Sequence, residues 1–88
     1  MLSLVKLKVR FYGPQIHEIG GKREMEIEVQ EERPTVSMVL QKITQRYGQH
    51  IWDYLVAVNG QEIRHLKGLN TEVSPSDAIV IFSPACGG

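Results

Sequence analysis

Near its start the chain reads Val5-Lys6-Leu7-Lys8-Val9-Arg10-Phe11-Tyr12, in which apolar side chains alternate with basic ones and a tyrosine. Because successive side chains of a strand point to opposite faces of a sheet, this period of two predicts a half-buried strand. Gly13-Pro14 ends the strand, and Gly20-Gly21 marks a second turn. The chain therefore begins with an amphipathic strand followed by a turn region.

A second alternating segment covers residues 24–29, where glutamates alternate with Met25, Ile27 and Val29. If this strand pairs antiparallel with the first, its acidic face lies beside the basic face of residues 5–12. Cross-strand contacts between lysine and glutamate then account for both charge runs. A ligand-binding role for these charges is the alternative.

The next segment, residues 36–47, has the spacing of a helix. Thr35 precedes it and is suited to cap its first turn, and Gly48 is suited to end it in the left-handed conformation. One stripe is expected to face the core. The stripe consists of Val36, Val39, Leu40, Ile43 and Tyr47.

The second half of the chain predicts three more strands, over residues 55–59, 61–63 and 78–82. Asn59-Gly60 is a strong signal for a tight hairpin between the first two. Residues 64–76 form an irregular connection, and Trp52 and Tyr54 are expected to close the lower edge of the core.

The last strand is apolar on both faces, since Val80 and Phe82 alternate with Ile79 and Ile81. A strand of this kind either lies in the centre of a sheet or has its outer face covered by a partner. The order strand, strand, helix, strand, short strand, strand predicts an α+β fold in which one mixed sheet wraps one main helix.

Composition excludes several classes of protein. A chain of 88 residues predicts a single domain over 1–88. Ten basic and ten acidic residues give no net charge, which argues against a dedicated nucleic-acid binder and against a polybasic membrane patch. No segment is long and apolar enough for a signal peptide or a membrane span, so a cytoplasmic location is expected.

The sequence predicts neither a metal site nor a bound cofactor. Its lone cysteine, Cys86, excludes an internal disulfide and a site built from several thiolates. The three histidines, His17, His50 and His65, lack the spacing of a zinc motif. Nothing else in the chain indicates an active site, so the protein is not expected to be an enzyme by itself.

The most informative segment is residues 83–88, an extended tail that follows the last strand. Gly87-Gly88 has no side chains, so the tail could enter a narrow channel of another protein, with a reach of about 20 Å. The reactive group would be the α-carboxylate of Gly88, which is ionised at neutral pH and is a poor acyl donor. A partner must first activate it, and adenylation with ATP is the obvious route.

Three stretches together carry a family resemblance. They are Lys8-Val9-Arg10-Phe11-Tyr12-Gly13, Val56-Ala57-Val58-Asn59-Gly60, and the end of the chain from Asp77 through Phe82-Ser83-Pro84-Ala85-Cys86-Gly87-Gly88. The chain resembles the ubiquitin-like β-grasp sulfur carriers of the ThiS and MoaD type. Within them it is most similar to MoaD, the small subunit of molybdopterin synthase, which takes part in molybdenum cofactor biosynthesis.

The resemblance implies a reaction cycle and two partners. An adenylyltransferase of the MoeB or ThiF type, related to the ubiquitin-activating enzymes, would use ATP to activate Gly88, which becomes a thiocarboxylate. The tail, with Gly87, Cys86, Ala85 and Pro84 before it, would then enter the large synthase subunit of the MoaE type and give its sulfur to a pterin precursor. The resemblance also implies that the outward-facing Phe82, Val80 and Tyr12 bind partners, although Phe82 could simply pack against a neighbouring side chain.

The tail departs from the family pattern at two positions, which leaves the acceptor open. Ser83 stands where the family commonly has proline, and Cys86 directly precedes the glycines. Cys86 is either filler or forms a thioester or disulfide with a partner. Other sulfur recipients, in thiazole synthesis, tRNA thiolation or cysteine synthesis, remain alternatives. So do a ubiquitin-like modifier of lysines and a plain interaction module.

Overall fold

The computed structural model describes residues 4–13, 23–48 and 52–82, in which the chain forms five strands and one α-helix. The strands are β1 (Val5–Tyr12), β2 (Glu24–Val29), β3 (Leu55–Val58), β4 (Gln61–Glu62) and β5 (Ile79–Phe82), and the helix is α1 (Val36–Tyr47). The sheet order is β2-β1-β5-β3-β4. Of the four pairs of neighbouring strands in this order, β1–β5 is parallel and the other three are antiparallel. The predicted mixed sheet with one main helix is confirmed.

The core lies between the inner face of the sheet and α1. The alternation in β1 and β2 places every second side chain there, and the helix contributes a stripe at the predicted spacing. Leu7, Ile43, Ile79 and Ile81 are among its most deeply buried side chains. The predicted helix stripe is confirmed for Val36, Val39, Leu40 and Ile43, whereas the side chain of Tyr47 lies outside the described part.

Both ends of α1 are closed as the sequence predicts. The Thr35 hydroxyl accepts a hydrogen bond from the backbone N–H of Met38 at 3.4 Å. Gly48 has a φ of 94° and donates its backbone N–H to Thr44 O at 2.9 Å. Positive φ is the region that glycine enters without steric cost, which is why the helix ends there.

The connection between β4 and β5 is more ordered than the sequence suggests. It contains two short 3-10 turns, Ile63–His65 and Gly68–Asn70, so Ile63 belongs to a turn and not to the predicted return strand. The backbone N–H of Val36 donates to Thr71 O at 3.0 Å, and that of Val73 donates to Pro34 O at 2.9 Å. These two bonds attach the connection to the start of α1.

One expectation for the core is wrong. Tyr54 packs against the core, but Trp52 keeps 38% of its surface exposed and is not part of the core cluster. No helix in the described ranges has the length and hydropathy needed to cross a membrane.

Candidate partner-binding face

Three large side chains stand in one row across the outer face of the sheet. Tyr12 on β1 lies opposite Phe82 on β5, and Phe82 lies opposite Leu55 on β3. The row crosses the three central strands because Phe82 is the partner of Tyr12 in the β1–β5 pairing and of Leu55 in the β3–β5 pairing. Tyr12 is 54% exposed, and Phe82 and Leu55 are half-buried.

A second, smaller row runs beside the first. Val80 lies opposite Ala57 on one side and opposite Arg10 on the other. Val80 and Ala57 are half-buried, so their side chains are less exposed to solvent than the side chain of Tyr12. The five apolar and aromatic positions of the two rows form what we call the outer apolar face: Tyr12, Leu55, Ala57, Val80 and Phe82.

Charged side chains border this face on the β1 side. The guanidinium Nε of Arg10 lies 3.1 Å from Glu24 Oε2, and both side chains are largely exposed. The hydrogen bond to Glu24, and after it the electrostatic influence of Tyr12, raises the pKa of Arg10 above its ordinary value. Arg10 therefore carries a fixed positive charge at the edge of the outer apolar face. Its pairing with Glu24 is a cross-strand contact of the predicted kind.

The structure brings together the three predicted partner-binding residues, Tyr12, Val80 and Phe82, on one surface. Sequence reasoning missed two members, Leu55 and Ala57. Both lie in a run of four apolar residues, which predicts a buried strand but does not show which alternate positions face outward. The register with β5 supplies that information.

The predicted tail lies outside the described residues. Gly88, Gly87, Cys86, Ala85 and Pro84 all fall in residues 83–88. Phe82 is the last described residue, so the outer apolar face includes the residue from which the tail continues.

The start of β5 is fixed by a hydrogen-bonded cluster around Asn59. Asn59 Oδ1 accepts from the backbone N–H of Ala78 at 2.9 Å, and its own backbone N–H donates to Ala78 O at 2.8 Å. The carboxylate of Asp77 accepts from Asn59 Nδ2 and, at 2.8 Å, from the backbone N–H of Ser74. The bond from Asn59 is the main reason why the pKa of Asp77 is lowered. The cluster ties the β3–β4 turn to β5 and so helps to position Val80 and Phe82.

The described ranges contain no group of three His, Cys, Asp or Glu residues close enough to hold a metal ion. His65 is exposed, and His17 and His50 lie in segments that the structure does not describe.

Comparison with known proteins adds to this picture. Residues 9–88 match the ThiS family. No match is found among curated proteins. Two solved structures of similar chains come from archaea. The Haloferax volcanii HVO 2177 protein is 26% identical with a TM-score of 0.78, and the match covers 97% of this chain and 88% of that one. Small archaeal modifier protein 1 from Methanosarcina acetivorans is also 26% identical, with a TM-score of 0.73 and coverage of 98% and 99%.

A third similar structure is a complex of subunits 1 and 2 of the molybdopterin-converting factor from Helicobacter pylori. The matched chain is 23% identical, with a TM-score of 0.64 and coverage of 96% of this chain and 100% of that one. At this identity the likeness establishes the fold, and it confirms the predicted ubiquitin-like β-grasp.

Proposed function

This chain belongs to the ThiS family, and from that premise we propose that it is a sulfur carrier whose Gly88 carboxylate is adenylated and then converted to a thiocarboxylate. The family match extends through Gly87-Gly88, and this single observation carries the proposal. The family itself confirms the predicted resemblance to the ThiS and MoaD type.

The proposed reaction has two steps, adenylation and sulfur exchange, because the Gly88 carboxylate is ionised at neutral pH. Its oxygen attacks the α-phosphate of ATP and releases pyrophosphate, which leaves an acyl adenylate. A sulfide-equivalent nucleophile then attacks the carbonyl carbon and displaces AMP, so one oxygen of the carboxylate is replaced by sulfur. An ionised carboxylate would not react without this activation, because it is a poor acyl donor. The chain acts as carrier and substrate, and its partners supply the catalytic groups and the ATP.

The outer apolar face is the docking surface in this proposal. Aromatic side chains at the centre of an exposed apolar patch commonly anchor protein interfaces. Phe82 is flanked by Tyr12 and Leu55 and directly precedes the tail. A partner bound to this row holds the tail at its origin, and the six residues of 83–88 reach about 20 Å into the partner's active site.

We further propose that the sulfur serves molybdopterin synthesis and that the chain is the small subunit of molybdopterin synthase. The partners are then an adenylyltransferase of the MoeB or ThiF type and a large subunit of the MoaE type. The Helicobacter pylori complex, which holds two subunits of a molybdopterin-converting factor, supports this choice. A lone cysteine suits the reducing cytoplasm in which this pathway would operate.

A second candidate function is protein modification, in which Gly88 forms an isopeptide bond with a lysine of a target. Its support is the 26% identity to small archaeal modifier protein 1 from Methanosarcina acetivorans. Both functions require activation of Gly88, and they differ in the final acceptor: a lysine amine that takes the acyl group, or a molecule that takes the sulfur from the thiocarboxylate. Sulfur transfer in thiazole synthesis, tRNA thiolation or cysteine synthesis is a further alternative to these two functions.

Intact-mass spectrometry tests the carrier function directly. The protein is incubated with ATP, sulfide and a ubiquitin-activating-like enzyme from the same organism, with a variant lacking Gly88 as the control. A mass gain equal to one exchange of oxygen for sulfur, absent from the control, supports the carrier. The carrier function would be overturned if this protein showed no mass gain with an activating enzyme that is demonstrably active on another carrier.

The acceptor is tested with the thiolated protein. Loss of the sulfur that requires both a pterin precursor and a large subunit supports the synthase role. Lysine-linked conjugates that survive thiol reductants and disappear in the Gly88-deleted variant favour the modifier.

A further inference from the structure

Among the residues that the structure describes, no strand pairs with the outer edge of β2. The sheet order places β2 at one end, with β1 as its only neighbour among the described strands. One residue beyond the Arg10–Glu24 pair, the backbone N–H of Phe11 donates to Arg23 O at 2.8 Å, which marks a hydrogen-bonded pair. Such pairs alternate with non-hydrogen-bonded pairs along an antiparallel ladder.

This alternation decides which residues face the open edge. Glu24, Glu26 and Glu28 occupy the non-hydrogen-bonded positions of the ladder. Their backbone N–H and C=O groups therefore point away from β1. The same three residues are exposed, with their side chains on the outer face of the sheet. The open edge thus combines a line of carboxylates with a row of backbone donors and acceptors that no described residue occupies.

A cleft of about 520 Å³ runs beside this edge, between β2 and the C-terminal half of α1. Glu26 and Glu28 line it from the strand, and Lys42, Gln45 and Arg46 line it from the helix. No salt bridge or hydrogen bond joins the Lys42 or Arg46 side chain to another residue in the described ranges. A segment lying along β2 would therefore meet carboxylates on one side and cations on the other.

We propose that the open edge of β2 receives an extended segment of a partner protein as an added strand. The segment carries lysine or arginine at the positions beside Glu24, Glu26 and Glu28, and acidic or amide side chains at the alternate positions that face Lys42 and Arg46. Addition of a strand to an exposed edge takes affinity from backbone hydrogen bonds and specificity from alternate side chains.

The other edge of β2 shows the same complementarity within the chain. There, Lys6, Lys8 and Arg10 of β1 lie opposite the glutamates of β2, with Arg10 bonded to Glu24. A strand with this basic alternation therefore matches the side chains of β2. A second copy of β2 does not, because an antiparallel pair of such strands would bring glutamates against one another, and like charges directly opposite are destabilising. The edge is selective for a basic segment and resists self-pairing.

The added strand is independent of the carrier chemistry. β1 separates β2 from β5, so the segment lies away from Phe82 and the tail. Binding at the β2 edge needs neither ATP nor Gly88. A failure of this proposal is therefore distinct from a failure of the proposed function.

A peptide titration followed by NMR tests the proposal. The probe is an acetylated and amidated heptapeptide in which lysine alternates with glutamate, beginning and ending with lysine. Its control has the same composition arranged in two blocks, so charge is kept and alternation is lost. We expect the alternating peptide to bind roughly tenfold more tightly than the control, with hydrogen exchange slowed at the amides of Glu24, Glu26 and Glu28. Equal binding of the two peptides, or no binding of the alternating one, would overturn the proposal.

Three variants separate strand addition from simple charge attraction. Glu26→Lys should weaken binding of the alternating peptide roughly tenfold, whereas Glu32→Lys, an equal charge change at an exposed position outside the cleft, should leave it within about twofold. Glu26→Pro removes one backbone donor from the open edge and keeps the pairing with β1. Unchanged binding to Glu26→Pro, in a variant that gives a folded spectrum, would also overturn the proposal.

Discussion

The side-chain amide nitrogen of Asn59 donates a hydrogen bond to Asp77 Oδ1 at 3.0 Å, across 18 positions of sequence. Asn59 thus contributes to the fold in two ways. With a φ of 53° it forms the β3–β4 turn together with Gly60 at 84°, and its side chain also holds the start of β5. Glycine would suit the turn equally well, so the side chain of Asn59 contributes mainly through the cluster.

Replacement of Asn59 separates these two contributions. Asn59→Gly keeps the turn conformation and removes the side-chain bonds, so we expect a loss of about 1–2 kcal/mol in the free energy of unfolding. Asn59→Ala removes the same bonds and also places a Cβ in the left-handed region, which should cost about 1 kcal/mol more. Urea unfolding at neutral pH measures both. Equal stabilities for the wild type and Asn59→Gly would show that the cluster contributes nothing.

The lowered pKa of Asp77 makes part of the stability depend on pH. A carboxylate whose pKa is lower in the folded state stabilises the fold above its ordinary pKa, and the contribution is lost as pH falls through the folded value. We expect the difference in free energy of unfolding between the wild type and Asp77→Asn to be greatest near pH 7 and to shrink below about pH 4.

Urea unfolding at both pH values measures this difference. If Asp77→Asn retained the whole acid sensitivity of the wild type, other carboxylates would be responsible. Because Asp77 keeps part of its surface in contact with solvent, moderate salt should reduce the effect.

Phe82→Lys tests the outer apolar face. Phe82 is half-buried on the outer side of the sheet, so the change should alter the free energy of unfolding by about 1 kcal/mol or less. Binding of the activating enzyme should weaken by roughly tenfold or more, as for a central aromatic anchor. Leu69→Lys is a matched control, because Leu69 is 44% exposed beside α1 and lies off this face. A variant that lost its circular dichroism spectrum would place Phe82 in the core instead.

Leu55→Lys should have the same effect on binding as Phe82→Lys, because the two residues lie opposite each other in the same row. The side chain of Ala57 is small and half-buried. Ala57→Ser should therefore change the affinity by no more than about threefold. Titration calorimetry with the activating enzyme measures both variants. Wild-type affinity in Leu55→Lys would restrict the interface to β1 and β5.

The sequence predicts those parts of this fold that depend on local rules. Alternation identifies β1 and β2, Thr35 and Gly48 define the ends of α1, and Asn59-Gly60 identifies the tight turn. Each signal lies within a few residues of the structure that it determines. The apolar character of both faces of β5 leaves two alternatives, a central position or an outer face covered by a partner, and the sheet order shows that β5 is central.

The remaining features depend on pairings between distant segments. The outward positions of Leu55 and Ala57 depend on the register with β5, and the partner of Asp77 is supplied by a turn 18 positions away. Trp52 shows a different limit, since its apolar character predicts burial but the fold gives it no place in the core. The roles assigned to Gly88 and the rest of the tail stay predictions.

The central position of β5 has a consequence for synthesis on the ribosome. A nascent chain that has emerged only through residue 78 can pair β1 with β2 and β3 with β4, but no strand of the sheet yet joins the two hairpins. The sheet closes when residues 79–82 insert between β1 and β3, and that insertion completes the outer apolar face at the same moment. Fragments that lack β5 would therefore be left with an open core, and they would lack the assembled outer apolar face that we propose as the docking surface.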